Sequence, residues 1–271
     1  MARLRRVELF DPEEIAFVHV MNRVVRRAFL FGDDPLTGKN FDHRKEWLEK
    51  ELERAAAYFG IDLIAYSLMS NHFHLVLRSR PDVVAIWDDT EVARRWLMLC
   101  PLDKKKRTPQ EPSEAALNTS CNDPKRLREI RRRLSDISWW MRLVCQRIAQ
   151  RANAENDEKG KFWESRFQAV RLLDEAAILA CAAYVDLNPI RAAMAETIEE
   201  SPFTSAQRRI NALSTELADK SELESERLYG ENASQPADAC LVPVQISENE
   251  LGASSTSKQE QSHARGPVGR C

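Results

Sequence analysis

The sequence predicts an α+β protein, with helices packed on one face of an antiparallel β-sheet and further helices added to it. A first strand is predicted over residues 17–24, because β-branched and aromatic side chains are mixed there with polar and cationic ones. A helical repeat follows, and after it come two strand-like runs that only residues 69–71 separate. A helix followed by paired strands is typical of a sheet covered by a helical layer.

The first predicted helix begins at Asp42, which can cap free backbone amides, and runs to about Phe59. Gly60 then ends it. Apolar residues recur along it at helical spacing and predict one inward face, consisting of Trp47, Leu48, Leu52, Ala55, Ala56 and Phe59.

The two strand-like runs, residues 61–68 and 72–78, are predicted to form a hairpin. Successive side chains of a strand point to opposite faces, so His72 and His74 share one face of it. Phe73, Leu75 and Leu77 share the other face, which can be buried.

Two imidazoles on one strand face, roughly 7 Å apart along the chain, can bind one metal ion at about 2.0 to 2.1 Å. The alternative is that each histidine has a water or backbone partner at a strand edge. The spacing alone does not separate these interpretations, because His-x-His is a short pattern.

The rest of the chain is predicted to be mostly helical. Residues 90–99 form a short helix, and residues 101–124, rich in Lys, Pro, Ser and Asn, form an insertion loop. A further helix covers residues 137–152, and Asp174 caps one that continues through Leu187. Asn188 and Pro189 then start a last helix, ending near residue 195.

Arginines are concentrated between residues 126 and 171, and we predict that they bind DNA phosphates. The predicted DNA-binding residues are Arg126, Arg128, Arg131, Arg132, Arg142, Arg166 and Arg171. The alternative for the arginine row is a solvated helix face balanced by nearby acids. Phe162 and Trp163 belong to an aromatic, cationic stretch that suits a nucleic-acid surface, or else they pack in the core.

Composition fits a soluble globular protein of 271 residues, with no apolar run long enough for a membrane span or a signal peptide. A cytoplasmic protein is therefore predicted, and its six scattered cysteines are predicted to be reduced thiols. The net charge of −2 divides into about +3 before residue 211 and −5 after it. After Ile210 the sequence is rich in Ser, Glu, Gln, Ala and Asn and has little apolar periodicity. Residues 1–200 are predicted to be the folded domain, and residues 201–271 a flexible tail.

Three segments carry a resemblance to a known family. They are Met69-Ser-Asn-His-Phe-His74, Phe162-Trp-Glu-Ser-Arg166 and Tyr184-Val-Asp-Leu-Asn-Pro-Ile-Arg-Ala192. Together and in this order they resemble the insertion-sequence-200-like HUH transposases, particularly the branch of the REP-associated tyrosine transposases. The resemblance covers about residues 15–200.

The resemblance implies a ferredoxin-like α+β fold in which His72 and His74 hold a divalent metal, magnesium or manganese. In the family the metal polarises a DNA phosphate, and a tyrosine attacks it to give a 5′-phosphotyrosyl enzyme and a free 3′-hydroxyl. The expected partner is single-stranded or hairpin DNA. Family members act as monomers or dimers, so a homodimer is possible.

Two positions depart from the family pattern. The nucleophilic tyrosine is expected four residues beyond Trp163, where this chain has Phe167. The further metal ligand, one helical turn later, corresponds to Arg171, which cannot ligate as a cation. Tyr184 is the candidate substitute, with a structural hydrogen bond as its alternative role. Tyr66 could lie across the hairpin from His72, although packing beside its strand neighbour is favoured for it.

Three functions follow from the sequence. The first is a transposase that cleaves and rejoins DNA strands. The second is a DNA-binding scaffold without strand transfer, for which Phe167 is the main argument. The third is a metal-dependent nuclease in which water replaces the tyrosine.

Overall fold

The structure, a computed structural model, describes residues 11–25, 30–35, 38–102, 111–225 and 241. Its four strands are β1 (Phe17–Arg23), β2 (Ile61–Leu68), β3 (His72–Ser79) and β4 (Gln168–Leu172). They form one antiparallel sheet in the order β2-β3-β1-β4. This is the order of two interleaved βαβ units, so the predicted ferredoxin-like α+β fold is confirmed.

Nine helices complete the described part of the chain. They are α1 (His43–Tyr58), α2 (Pro81–Ile86), α3 (Asp89–Leu99), α4 (Glu114–Cys121), α5 (Pro124–Leu134), α6 (Ile137–Glu155), α7 (Glu175–Asp186), α8 (Asn188–Arg191) and α9 (Ser205–Ser225). None of the described helices has the length and apolarity needed to cross a bilayer. The described cysteines, all half-buried, are free thiols: Cys100, Cys121, Cys145 and Cys181.

The two faces of the sheet are covered differently. The first face carries the main core, in which Val18 and Val20 of β1 and Leu75 and Leu77 of β3 pack with residues of α1 and α6. The second face carries a small apolar cluster around Val185 of α7. Because α7 crosses β2, β3 and β4 on this face, the second face is only partly covered.

The predicted insertion loop was wrong in its second half, where α4 forms. Ser113 caps α4 by accepting a hydrogen bond from the amide of Ala116. Its contacts with α3 and α5 explain why residues without a clear apolar repeat are helical. Residues 103–110 of the predicted loop lie outside the described residues.

Asn188 is the first residue of α8 and not its cap, and the helix ends four residues earlier than predicted, at Arg191. The predicted domain limit at residue 200 stays a prediction, although Ser205–Ser225 forms α9. The first turn of α9 lies against β2, where Ser205 Oγ accepts a hydrogen bond from the Tyr66 amide. The composition of this segment alone predicts no ordered structure, and these tertiary contacts account for its order. The tail beyond residue 225, apart from Leu241, lies outside the described residues.

Candidate active site

Three histidines meet on the second face of the sheet. His72 and His74 lie on β3, as the alternation of side chains predicts, and His19 comes from the neighbouring strand β1. In the β1–β3 pairing His74 is opposite Met21 and His19 is opposite Val76, so the two imidazoles are diagonal neighbours. Their rings stack with centroids 5.1 Å apart, and the His72 ring meets that of His74 edge-on at 5.0 Å.

The hydrogen bonds of His72 and His74 determine which ring nitrogen of each is available to bind a metal. Nδ1 of His72 lies 2.6 Å from Oδ1 of Asn71, an oxygen that only accepts, so this Nδ1 carries the proton. Nδ1 of His74 lies 3.0 Å from Nε2 of His19. When His74 donates in that contact, both β3 histidines present an Nε2 lone pair, the atom through which such imidazoles bind metals.

The three imidazoles are neutral at pH 7. Burial, with a smaller contribution from the neighbouring His19, His72 and Arg23, lowers the pKa of His74 to about 3. Burial also lowers the pKa of His72, as does the charge of Arg23, and burial lowers the pKa of His19. Neutral imidazole is the form that ligates metals, so no proton has to be removed first.

Tyr184 of α7 lies over the same cluster. Its ring meets His74 edge-on at 5.8 Å between centroids and His19 at 6.3 Å. The residue is exposed, at 40%, and the guanidinium of Arg191 lies 4.9 Å from the ring centroid. The structure therefore brings the ring of this candidate nucleophile to His74 of the predicted pair.

The other tyrosines are placed differently. Tyr66 is fully buried on the core face, where its hydroxyl donates to the Glu49 carboxylate at 2.6 Å and burial raises its pKa. It pairs with Leu75 across the hairpin and not with His72. Tyr58 ends α1 and packs against the core. Tyr229 lies outside the described residues.

Phe167 lies away from the histidines. It is 8% exposed and belongs to the main core, on the opposite side of the sheet. Phe162 is also a core residue, and Trp163 packs against that core while its indole donates to the Cys145 carbonyl at 2.8 Å. The core interpretation is thus confirmed for Phe162, whereas Trp163 is only half-buried.

The donors for a metal are few. Among the described residues no group of three or more His, Cys, Asp or Glu side chains is arranged to hold a metal ion. His72 and His74 nevertheless offer two neutral imidazoles on one strand face, and this pair fits a divalent ion that takes its other ligands from oxygen atoms. Asn188, four residues after Tyr184, has a buried side-chain nitrogen with no hydrogen-bond partner in the described chain.

Four of the predicted DNA-binding arginines lie on α5, far from this cluster. Helix α5 contacts α2, which follows the C-terminal end of β3. His72 begins β3, and it lies roughly 23 Å from the C-terminal end of that strand at about 3.3 Å per residue. Arg131 binds the carbonyls of Val84 and Trp87, and Arg132 pairs with Glu129, whereas the exposed residues Arg126 and Arg128 form no salt bridge within the described chain.

The remaining three predicted arginines are divided. Arg142 and Arg166 line one cavity at the histidine end of the sheet, on its core side. Arg171 on β4 is paired with Val18 and therefore faces away from the histidines, where it forms a salt bridge with Glu14 at 3.2 Å.

Sequence reasoning missed His19, Arg23 and Arg191 as neighbours of the pair. Arg23 is exposed and opposite His72 in the β1–β3 pairing. His19 could have been found from the sequence because it lies on the same polar strand face as Arg23. Placing that face beside the histidine pair, however, requires knowing that β1 is the neighbour of β3.

No protein-family model matches the chain, and no curated protein matches it. Among solved structures, the chain is similar to a REP-associated tyrosine transposase bound to a REP hairpin. The two share 11% sequence identity with a TM-score of 0.45, over 78% of this chain and 86% of that one.

Proposed function

We propose that this protein is a transposase-type enzyme that cleaves and rejoins single-stranded or hairpin DNA, with Tyr184 as its nucleophile. The observation that carries the proposal is the edge-on placement of Tyr184 against His19 and His74. No other tyrosine of the described chain has a ring contact with these histidines. The family resemblance of the sequence supports the same chemistry.

In the proposed reaction the Tyr184 hydroxyl attacks the scissile phosphorus. A bond forms between the phenolic oxygen and phosphorus, and the bond from phosphorus to the 3′-oxygen breaks. The phenolic proton is lost and the departing oxygen gains one, which leaves a 5′-phosphotyrosyl enzyme and a free 3′-hydroxyl. Because one phosphodiester replaces another, the reverse attack can rejoin a strand.

His72 and His74 hold the metal in this proposal, and a bound magnesium or manganese ion would polarise the phosphate as a Lewis acid. The family places a further ligand one helical turn after its tyrosine. Counted from Tyr184 that residue is Asn188, whose amide oxygen suits either ion. His19 positions His74 by accepting its Nδ1 proton.

Arg23 and Arg191 supply positive charge on the same face. Arg23 lies opposite His72, and Arg191 lies over the Tyr184 ring. A phosphate between the histidines and Tyr184 would be close to both cations, which favours an anionic substrate. The cytoplasmic location and the homodimer stay predictions.

Phe167 belongs to the core, so the proposal takes Tyr184 as the nucleophile in its place. The scaffold without strand transfer is instead favoured by the shortage of protein donors around the histidine pair. The nuclease differs from the main proposal in its nucleophile, which is water, and therefore in its product, which is cut DNA with no protein attached.

The test uses labelled hairpin oligonucleotides incubated with the full chain and Mg²⁺ or Mn²⁺. The proposed enzyme gives a covalent protein–DNA adduct at the 5′ end of the cut, and Tyr184→Phe gives none. Cut DNA without an adduct, equally abundant with Tyr184→Phe, would identify the nuclease. DNA binding without any cut would identify the scaffold.

A further inference from the structure

A cavity of about 630 Å³ opens on the core side of the sheet, between α6 and the segment that precedes β4. Its lining includes Trp139 and Arg142 from the first turns of α6, and Lys161, Trp163 and Arg166 from that segment. We call it the Trp163 cleft. None of the reactions described above uses it.

The cleft is cationic, and its cations are available. Arg142, Lys161 and Arg166 are exposed, and none forms a salt bridge with a carboxylate of the described chain. This differs from Arg131 and Arg133 of α5, which pair with Asp89 and Glu129. Asp136 is the acidic residue of the lining and caps α6 through the amide of Ser138. The local charge thus favours an anion.

The cleft also offers a rigid aromatic surface. The indole of Trp163 donates to the Cys145 carbonyl, and its ring meets Phe73 and Phe162 edge-on at 5.6 and 5.0 Å. A half-buried tryptophan fixed in this way can stack with a base at little cost in side-chain entropy. Cations around an aromatic ring are the pattern by which proteins bind unpaired nucleotides.

The cleft and the histidine cluster lie back to back at one end of β1. Asn22 is 4% exposed and lines the cleft, while the next residue, Arg23, is on the opposite face beside His72. The amide of Glu164 donates to the Arg23 carbonyl, so the segment bearing Trp163 and Arg166 passes around this strand end. A DNA strand leaving the histidine face at this end would therefore pass the segment that carries Arg166.

We propose that the Trp163 cleft binds an unpaired nucleotide of the same DNA strand that is cut at the histidine cluster. The base stacks on Trp163, and Arg142, Lys161 and Arg166 contact the adjoining phosphates. This inference rests on the proposed function for the identity of its ligand. It assigns the specificity for unpaired DNA to a surface separate from the catalytic face.

The experiment measures binding by fluorescence anisotropy, using Tyr184→Phe as the uncut background. The probes are a blunt hairpin, the same hairpin with a randomised eight-nucleotide extension, and single-stranded (dT)8. The triple variant Arg142→Ala/Lys161→Ala/Arg166→Ala should bind the extended hairpin and (dT)8 at least about 10-fold more weakly, and lower the salt slope by about 0.7 per lost phosphate contact. Its affinity for the blunt hairpin should be unchanged.

The matched pair is Lys161→Glu and Lys50→Glu, each of which reverses one exposed charge and should retain the melting temperature. Lys161→Glu should weaken binding of the extended hairpin and of (dT)8. Lys50 of α1 has a side chain that is 72% exposed and does not line the cleft, so Lys50→Glu should leave all three affinities unchanged. Equal affinity of wild type and cleft variants for (dT)8 would overturn the inference, as would an equal loss with Lys50→Glu. If cleft variants lose (dT)8 binding while the unmodified chain forms no adduct, the proposed function fails and the cleft assignment stands.

Discussion

The two faces of the sheet use the same strands for opposite purposes. On the core face β1 and β3 contribute Val18, Val20, Leu75 and Leu77, all fully buried. One residue away along each strand, the second face carries His19 and His74 beneath a single helix. Because successive side chains of a strand point to opposite faces, the same two strands supply a packed apolar layer on one side and a polar site on the other.

The two faces also separate two tyrosines. Tyr66 lies on the core face with its hydroxyl bonded to Glu49, and burial raises its pKa. Tyr184 lies on the second face, half-exposed beside neutral imidazoles. The comparison indicates which property decides whether the hydroxyl of a tyrosine is accessible for a reaction. It is the face of the sheet on which the residue lies, more than its distance in sequence from a motif.

The largest effect is expected from removing a histidine of the β3 pair. His74→Ala should lower the rate of strand cleavage by about 10³-fold, since a metal ion contributes several kcal/mol of transition-state stabilisation. Calorimetric titration with Mn²⁺ should show the loss of binding. Retention of full Mn²⁺ affinity by both His72→Ala and His74→Ala would show that the second face holds no metal.

The next effect tests His19 as a positioning residue. His19→Phe removes the acceptor for His74 Nδ1–H and should weaken Mn²⁺ binding by about 10- to 100-fold. His19→Gln, which keeps an acceptor, should restore part of the affinity. His43→Phe is the control, because His43 is a histidine bonded to Glu155 on α6, remote from the sheet's second face.

The two tyrosines are expected to give smaller effects, on stability, and these effects should be unequal. Tyr66→Phe leaves the Glu49 carboxylate without its hydroxyl donor and should cost about 1–3 kcal/mol in the free energy of unfolding. Tyr184→Phe should change that free energy by less than about 0.5 kcal/mol, as is usual at exposed positions. Urea unfolding of both variants measures the difference, and an equal cost would contradict the separation of roles.

Phe167→Tyr tests the core assignment directly. A hydroxyl placed in this apolar surrounding should lower the free energy of unfolding by about 1–2 kcal/mol. It should not increase the yield of the covalent adduct, because the residue lies on the face opposite the histidines. A higher yield in the Tyr184→Phe background would instead identify position 167 as the nucleophile's site.

The last prediction concerns pH. The pKa of His74 falls from 6.5 to about 3 on folding, so below about pH 6.5 the unfolded chain binds a proton that the folded chain does not. The free energy of unfolding of the metal-free protein should therefore decrease as pH falls from about 6.5 towards 3. His74→Gln should reduce this slope, measured by urea unfolding at several pH values. An unchanged slope would mean that His74 titrates normally.

The sequence was sufficient for the strands and for the shared face of His72 and His74, because both follow from local alternation. It was not sufficient for His19 or Arg23, because their approach depends on the pairing of β1 with β3 across some fifty intervening residues. Spacing from Trp163 led to Phe167 as the nucleophile's position, although that residue turns into the core. Only the three-dimensional arrangement shows that Tyr184 is the tyrosine over the histidines.

The arginines show the same limit. A row of cations on one helix predicts a binding surface, yet Arg131 and Arg132 are engaged with neighbouring groups of the fold. Arg142 and Arg166, twenty-four residues apart, are brought to one cavity by the packing of α6 against the segment before β4. Charge is visible in a sequence, whereas pairing of charges depends on the fold.

Asp186, two residues after Tyr184, joins two helices through one carboxylate. Its Oδ1 accepts hydrogen bonds from the Ser205 hydroxyl at 2.5 Å and from the Ala206 amide at 3.1 Å, while Ser205 is itself bonded to the Tyr66 backbone. Rotation of α7 about its axis would break both bonds and leave a buried carboxylate without donors. The orientation of the tyrosine is therefore mechanically coupled to the start of α9, a helix that has no residue in the site.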